Sequence, residues 1–188
     1  MFSFYLMYQM DHHCIYVNQC IGYGNYRTFF LMLCYFVGGC LFGVTILLVP
    51  VCESVFKAFE KHGAKAFSTG LLGISSPITL AINAFHGQGI NAEDVLKLVF
   101  LFLFIVALVL SYFLSWHVRW CVLGARTTIE AMPFLVGNTS SNCVNPFDQG
   151  WVLNARQVLG TPIRALLPIF VDPPPPFLPD VSFQKKGI

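Results

Sequence analysis

The run Met10-Asp11-His12-His13-Cys14 sets a thiol beside two imidazoles and a carboxylate within one short peptide. Those are the parts of an activated sulfur nucleophile. Cysteine attacks as the thiolate, and a free thiol with a pKa of about 8.5 is mostly protonated at neutral pH. A neighbouring imidazole can take the proton, while a carboxylate orients the ring and stabilises its charged form. The same residues also suit part of a metal site, because imidazole and thiolate are both zinc donors. The cluster alone leaves both chemistries open, along with a chance grouping in a loop. It does not say which histidine does which work.

The residues beyond Cys14 narrow the choice. The longer string MDHHCIYVNQCIGYGNYRTFF, with TTIE at 127–130 and NPFD at 145–148 further on, resembles the DHHC-type protein S-acyltransferases (palmitoyltransferases), integral-membrane enzymes that place fatty acyl chains on cysteines of other proteins. The resemblance runs from Met10 to Cys14, then through Val17-Asn18, Cys20, Gly22 and Asn25-Tyr26-Arg27. It returns at Thr127-Thr128-Ile129-Glu130, which is similar to the family's TTxE motif. A third match is Asn145-Pro146-Phe147-Asp148 with Gly150, followed by Asn154 to Gly160. By these three matches, in order around apolar runs, the chain is identified as a member of that family.

The resemblance implies a residue for each role. Cys14 would attack acyl-CoA (palmitoyl-CoA as co-substrate) and carry the acyl group to a thiol of a protein substrate. His12 would be the general base and Asp11 its orienting carboxylate. His13 and Cys20 match ligands of the family's structural zinc. Thr127, Thr128 and Glu130 would support the site, Thr128 corresponding to the threonine that approaches the catalytic aspartate. Asn154 matches an asparagine that ties the C-terminal segment to the active region; judged without the family it is an ordinary helix-cap or loop residue.

Departures from the family pattern set a second reading beside the first. In the family a cysteine-rich domain supplies most ligands for two zinc ions, and two further membrane helices precede it. Here the ten residues before Asp11 contain no Cys or His, and Ile15-Tyr16 stand where the family has Pro-Trp. A structural zinc site takes four protein ligands. His13 and Cys20 are two; Cys34 and Cys40 lie in the first apolar run, Cys52 falls on the far side of it, and Cys121 and Cys143 show no finger-like spacing. The resemblance therefore covers about the C-terminal half of a family member, without the N-terminal helices and most of the zinc domain. The second reading is a catalytically impaired membrane module that binds partners and transfers no acyl group.

What must position these residues is legible in the composition. The chain is 56% hydrophobic and 11% charged, against about 25% charged in soluble domains, so lipid is the expected solvent. A net charge of +2 gives no footprint for nucleic acid. Seven cysteines without a pairing pattern read as reduced thiols rather than a secreted disulfide framework. The opening MFSFYLMYQM has no basic n-region and no long apolar core, so it is not read as a signal peptide.

Two stretches, 29–49 and 98–116, reach the roughly 20 apolar residues that a bilayer crossing needs. Trp116 and Trp120 close the second as interfacial anchors, with Arg119 and Arg126 just beyond. The expected fold is an all-α integral membrane protein with two transmembrane helices. The expected divisions are a catalytic segment 1–28, the spans and their loop 29–123 with lumenal residues 51–94, a cytosolic motif region 124–170, and a proline-rich flexible tail 171–188. Thr69 to Phe85 is moderately apolar but interrupted by Ser75-Ser76-Pro77. For TTIE to meet the DHHC cluster an even number of crossings must separate them, so this stretch reads as lying at the interface or packing beneath the bundle.

A small excess of positive charge and the family resemblance favour the same orientation. Arg27, Arg119, Arg126, Arg156, Arg164, Lys185 and Lys186 flank the motif side, against Lys57, Lys61, Lys65 and Lys97 on the connecting side. The excess points the motifs to the cytosol, where the Asn138-Thr139-Ser140 sequon stays unmodified. The expected setting is a multi-pass protein of the endomembrane system (Golgi, endoplasmic reticulum or plasma membrane). Its partners are cysteine-containing proteins on the cytosolic face and the lipid bilayer. His62, His86 and His117 are scattered, and no chemistry is assigned to them.

Overall fold

The computed structural model describes residues 10–63, 77–87, 91–135, 145, 147–161 and 167. The chain divides into two compact units, one of Met1–Cys34 with Tyr112–Ile188 and one of Tyr35–Ser111. Residues 69–76 of the interrupted stretch, the sequon asparagine, Cys143 and the proline-rich tail lie outside the described residues.

The first unit begins with a hairpin where an all-α chain was expected. Strands β1 (His12–Cys14) and β2 (Gln19–Ile21) pair antiparallel, with His12 opposite Ile21, His13 opposite Cys20 and Cys14 opposite Gln19. The Asp11 N–H continues the ladder to the Ile21 carbonyl at 2.8 Å. Asn18 takes a left-handed φ of 50° in the connecting turn, a conformation that asparagine tolerates better than most residues. Strands of three residues carry too little alternation to register as a pattern in the sequence.

Helix α1 (Tyr26–His62) starts directly after the hairpin. The Asn25 side-chain oxygen accepts the Gly22 N–H at 2.9 Å, and the Tyr26 N–H reaches the Gly22 carbonyl at 2.8 Å. The apolar stretch 29–49 is the core of this helix, which runs 37 residues with Pro50 inside it. A proline removes one backbone donor, and in a helix this long that loss stays local. Helix α2 (Pro77–Phe85) puts Pro77 at its first position, where the missing N–H would be unbonded anyway. Helix α3 (Ala92–Trp116) carries Glu93 and Asp94 in its first turn, where the helix dipole favours negative charge.

Within the second unit α1 and α3 approach closely. A Cβ on Gly43 would lie 2.9 Å from a terminal methyl of Leu103, the close contact that small residues allow between apolar helices. The Ser54 hydroxyl donates to Glu93 at 2.7 Å. Phe36, Phe42, Ile46, Phe102, Leu108 and Val109 are exposed. Both Tyr26–Lys61 and Ala92–Val122 are long and apolar enough to cross a membrane, with only 17% and 6% of their most apolar windows buried. Buried core helices of a soluble protein would hide those faces, so lipid accounts for them better.

After Trp116 the helix widens into a π-helical turn, His117–Val122, seen in the Leu123 N–H bonding back to the Val118 carbonyl at 2.9 Å. Trp116 and Trp120 lie 5.7 Å apart, with the Arg119 guanidinium over the Trp120 ring. Short helices α4 (Thr128–Leu135) and α5 (Trp151–Leu159) follow. The core of this unit is Cys14, Ile21, Tyr26, Phe29, Phe30, Cys121 and Val122. The nucleophile candidate is thus packed against the ends of both long helices.

Candidate active site

Strand geometry separates the two histidines. Successive side chains on a strand point to opposite faces, so His12 and Cys14 share one face of β1 and His13 takes the other. On the inner face the Asp11 carboxylate, 2% exposed, accepts a hydrogen bond from His12 Nδ1 at 2.6 Å. On the outer face His13 Nδ1 meets the Sγ of its cross-strand partner Cys20 at 3.4 Å. The register of one hairpin assigns the two imidazoles to different neighbours.

The TTIE residues then divide in two. Thr127 and Glu130 form a reciprocal capping box at the start of α4: the Thr127 N–H donates to Glu130 Oε2 at 2.9 Å, and the Glu130 N–H donates to the Thr127 hydroxyl at 3.3 Å. Held this way, Thr128 presents two donors to Asp11. Its N–H reaches Oδ1 at 2.6 Å and its hydroxyl reaches Oδ2 at 2.9 Å. The Cys121 thiol adds a longer contact to Oδ1 at 3.7 Å. Both carboxylate oxygens are therefore engaged from two sides, which fixes the plane of the carboxylate against His12.

Asn154 lies one layer away, 1% exposed. Its amide donates to the Leu123 carbonyl and to Asp148, both at 2.7 Å, and its oxygen accepts the Gln149 N–H at 3.0 Å. Asn145 similarly donates to the Gly124 and Ala125 carbonyls at 2.8 and 3.2 Å. The C-terminal segment is thereby stitched to the turn that carries Thr127 and Thr128. Asp148 is held below its ordinary pKa, first by the Asn154 amide and then by the Gly150 N–H. A small cleft of about 80 Å³ leads to Asp11 between Tyr23, Arg126, Glu130 and Gln157.

The electrostatics favour charge separation along the inner face. Burial is the largest influence on Asp11 and pushes its pKa up, but the bonds from His12 and Thr128 together outweigh it and hold the carboxyl below its ordinary value. The bond to Asp11 raises His12, against burial and with help from Cys14. For Cys14 burial again pushes upward most strongly; the Val17 N–H, the His12 ring and the Tyr16 N–H together bring the thiol below its ordinary range. A carboxylate, a ring inclined to hold a proton and a thiol inclined to lose one is the order a sulfur nucleophile needs.

Comparison with known proteins decides the family. Residues 5–134 match the family model described as DHHC palmitoyltransferase. The chain belongs to the DHHC palmitoyltransferase family. It is 32% identical over 153 residues to palmitoyltransferase ZDHHC15 of Homo sapiens, covering 81% of this chain and 36% of the relative. It is 33% identical over 167 residues to ZDHHC15 of Xenopus laevis, covering 86% and 39%. Against ZDHHC15A of Danio rerio it is 28% identical, covering 86% and 40%. The chain spans well under two thirds of the length of these curated relatives.

The family's zinc can be tested against the residues present. His13 and Cys20 supply two of the four donors such a site takes: they lie 3.4 Å apart on an exposed face, with a free thiol, and among the described residues no third candidate ligand joins them. A different trio, Asp11, His117 and Cys121, also has its donor atoms within 4.8 Å of one another, all buried. That trio does not fit a cation as well. Both Asp11 oxygens already accept hydrogen bonds, so the carboxylate is satisfied by the protein itself.

Two residues given no part in the site from the sequence, His117 without any chemistry and Cys121 as a passive thiol or an acylation target, stand inside this DHHC site. His117 is fully buried, with its Nδ1 2.8 Å from the Tyr26 hydroxyl. Cys121, four residues on, reaches Asp11 and Thr128. The π-helical turn lets both face the carboxylate, and no local sequence signal announces such a turn. Gly124 is the third omission. A Cβ there would lie 2.6 Å from the Trp120 carbonyl oxygen and 3.1 Å from that of Arg119. Both are backbone atoms and cannot swing aside. Gly124→Ala is expected to cost about 1–3 kcal/mol of stability and to move the Thr127-Thr128 turn off Asp11. Thermal unfolding in detergent checks it; an unchanged melting temperature would show that the turn has room to spare.

Proposed function

We propose that this chain carries the transfer centre of a protein S-palmitoyltransferase, with Cys14 as nucleophile, His12 as general base and Asp11 as its orienting group. The single observation that carries the reading is the Asp11 carboxylate, held by Thr128 on one side and bonded to His12 at 2.6 Å on the other. That bond puts the Nδ1 proton on His12 toward Asp11 and leaves the buried Nε2 on the side of the Cys14 sulfur, whose pKa the ring lowers, to accept its proton. Such an arrangement is the common logic of nucleophile, base and orienter.

The reaction runs in two halves. Cys14 gives its proton to His12 and its sulfur attacks the thioester carbonyl of palmitoyl-CoA. A new C–S bond forms to Cys14, the C–S bond to CoA breaks, and the CoA thiolate leaves with the proton from His12. A cysteine of a protein substrate then loses its proton to His12 and attacks the acyl-enzyme; Cys14 leaves as the thiolate and takes that proton back. His13 and Cys20 would hold zinc, whose contribution is to pin the hairpin that carries Cys14.

The domain divisions and orientation belong to the same proposal. Residues 1–28 and 124–170 act on the cytosolic face, the helices within 29–123 cross the membrane, 51–94 lies on the other side, and 171–188 is the tail. Each methylene buried in lipid is worth about 0.8 kcal/mol, so a sixteen-carbon chain prefers the bilayer by on the order of 10 kcal/mol while its CoA head stays in water. A thiol at the end of a span meets the thioester where those preferences divide. The setting is an endomembrane or plasma-membrane bilayer, with cytosolic cysteine-bearing proteins as substrates.

Purified protein incubated with labelled palmitoyl-CoA tests this directly. A hydroxylamine-labile adduct on the Cys14 peptide is the expected result. No adduct, with full-length membrane insertion intact, would overturn it in favour of the module that binds and does not transfer; bound zinc measured on the same sample reports whether the His13–Cys20 face is filled.

A further inference from the structure

A buried imidazole with one unpaired nitrogen needs a reason. His117 is 0% exposed, its Nδ1 is paired with the Tyr26 hydroxyl at 2.8 Å, and its Nε2 is buried without a partner among the described residues. The bland explanation is a core histidine satisfied by its neighbours, but a satisfied one pairs both nitrogens. Packing alone would be served better by phenylalanine or leucine, with no polar group to bury. The surroundings are aromatic: the Phe113 ring lies 4.5 Å away and Phe29 5.3 Å, both edge-on. Phe29 touches His12 in the same manner at 5.1 Å, and the two imidazoles lie 5.9 Å apart. One phenyl ring therefore serves as a common wall for both histidines.

We infer that His117 and Tyr26 form a second hydrogen-bonded pair behind Asp11 and His12, and that His117 is a positioning residue setting the angle at which the His12 ring meets the acyl thioester. The inference rests on the transfer reading above. Two contacts define the His12 ring: the Asp11 bond fixes its Nδ1 edge, and the aromatic box fixes its tilt about that bond. Tyr26, at the start of α1, and His117, on the π-helical turn, belong to the two long helices. Their hydrogen bond sets the spacing of those helix ends, and the spacing sets where Phe29 stands. The unpaired Nε2 of His117 leaves the ring able to rotate unless the Tyr26 hydroxyl holds it.

The test uses the full chain in detergent or vesicles and reads single-turnover acylation of Cys14 across a palmitoyl-CoA concentration series. Tyr26→Phe keeps the ring and deletes only the hydroxyl. His117→Phe keeps the volume and deletes both nitrogens. His117→Gln keeps an acceptor for the tyrosine. Mispositioning of a reacting group by about 1 Å costs on the order of 100-fold, so His117→Phe should lower the maximal rate by about 10- to 100-fold. Tyr26→Phe should lower it by about 10-fold, with the half-saturating concentration within about twofold of the parent for both. His117→Gln should recover part of the loss, and the double Tyr26→Phe, His117→Phe variant should match the worse single one. A maximal rate unchanged in Tyr26→Phe would overturn the inference, as would a loss confined to half-saturation. Failure of the parent chain to acylate Cys14 at all would instead strike the transfer reading, so the two failures are distinguishable.

Discussion

Cys14→Ser should leave no hydroxylamine-labile acyl adduct after incubation with labelled palmitoyl-CoA, a fall of at least about 1,000-fold in adduct formation. Sulfur and oxygen differ little in size, and Cys14 is 8% exposed at the end of β1, so the hairpin keeps its shape. The chemistry does not survive the exchange. The hydrogen bonds from the Val17 and Tyr16 N–H groups and the His12 ring bring the thiol below its ordinary pKa, whereas a hydroxyl starts far higher and stays protonated. Any slow acylation of serine would give an oxygen ester, which hydroxylamine at neutral pH leaves in place. Parent-level labelling in the variant would mean that the label sits on another thiol, with Cys20 and Cys52 the exposed ones among the described residues.

The site is legible in the sequence to the extent that it is local. Asp11, His12 and Cys14 are within four positions of one another, so the cluster is visible without the fold, although by itself it leaves a nucleophile and a metal site both open. The division of labour between His12 and His13 is a matter of strand register, and three-residue strands leave no periodic trace. Asn18, the turn residue with positive φ, was the available hint of a hairpin. Thr127 and Glu130 had a physical signature in plain view, the T-x-x-E spacing of a capping box, which explains why that motif begins a helix and aims Thr128.

Long-range parts were less accessible. The two apolar runs identified the two long helices, but α1 continues through Pro50 because a lone proline does not end a helix that its neighbours sustain on both sides. His117 and Cys121 enter the site through a π-helical turn, which depends on how α3 ends against the hairpin and Thr128. Gly124 is demanded by the carbonyls of Trp120 and Arg119, contacts that follow from the same turn. Asn154 is separated from Leu123 by 31 positions and bonds to it at 2.7 Å; nothing in its own neighbourhood distinguishes it from a surface amide.

Asp11→Asn isolates the orienting role from the packing role. The amide has the shape of the carboxylate, and its oxygen can still accept the Thr128 N–H that now reaches Oδ1 at 2.6 Å. The other half changes sign. Where Oδ2 accepted from His12 Nδ1 at 2.6 Å, an NH₂ group would face an N–H, two donors against each other. The ring escapes that clash by moving its proton to Nε2, so that Nδ1 accepts from the amide. In that tautomer Nε2 has no lone pair for the Cys14 proton, and no charge remains to stabilise the protonated ring. Acylation of Cys14 should fall by about 10,000-fold, while the melting temperature in detergent shifts little, because the amide oxygen keeps the Thr128 N–H and the Thr128 hydroxyl, a donor to Oδ2 in the parent, can turn to accept from the amide NH₂. Asp11→Ala, which strands the Thr128 donors as well, should lose both activity and stability. Were Asp11→Asn to acylate within tenfold of the parent, the Asp11–His12 bond would be scaffolding alone and His12 would not be the base.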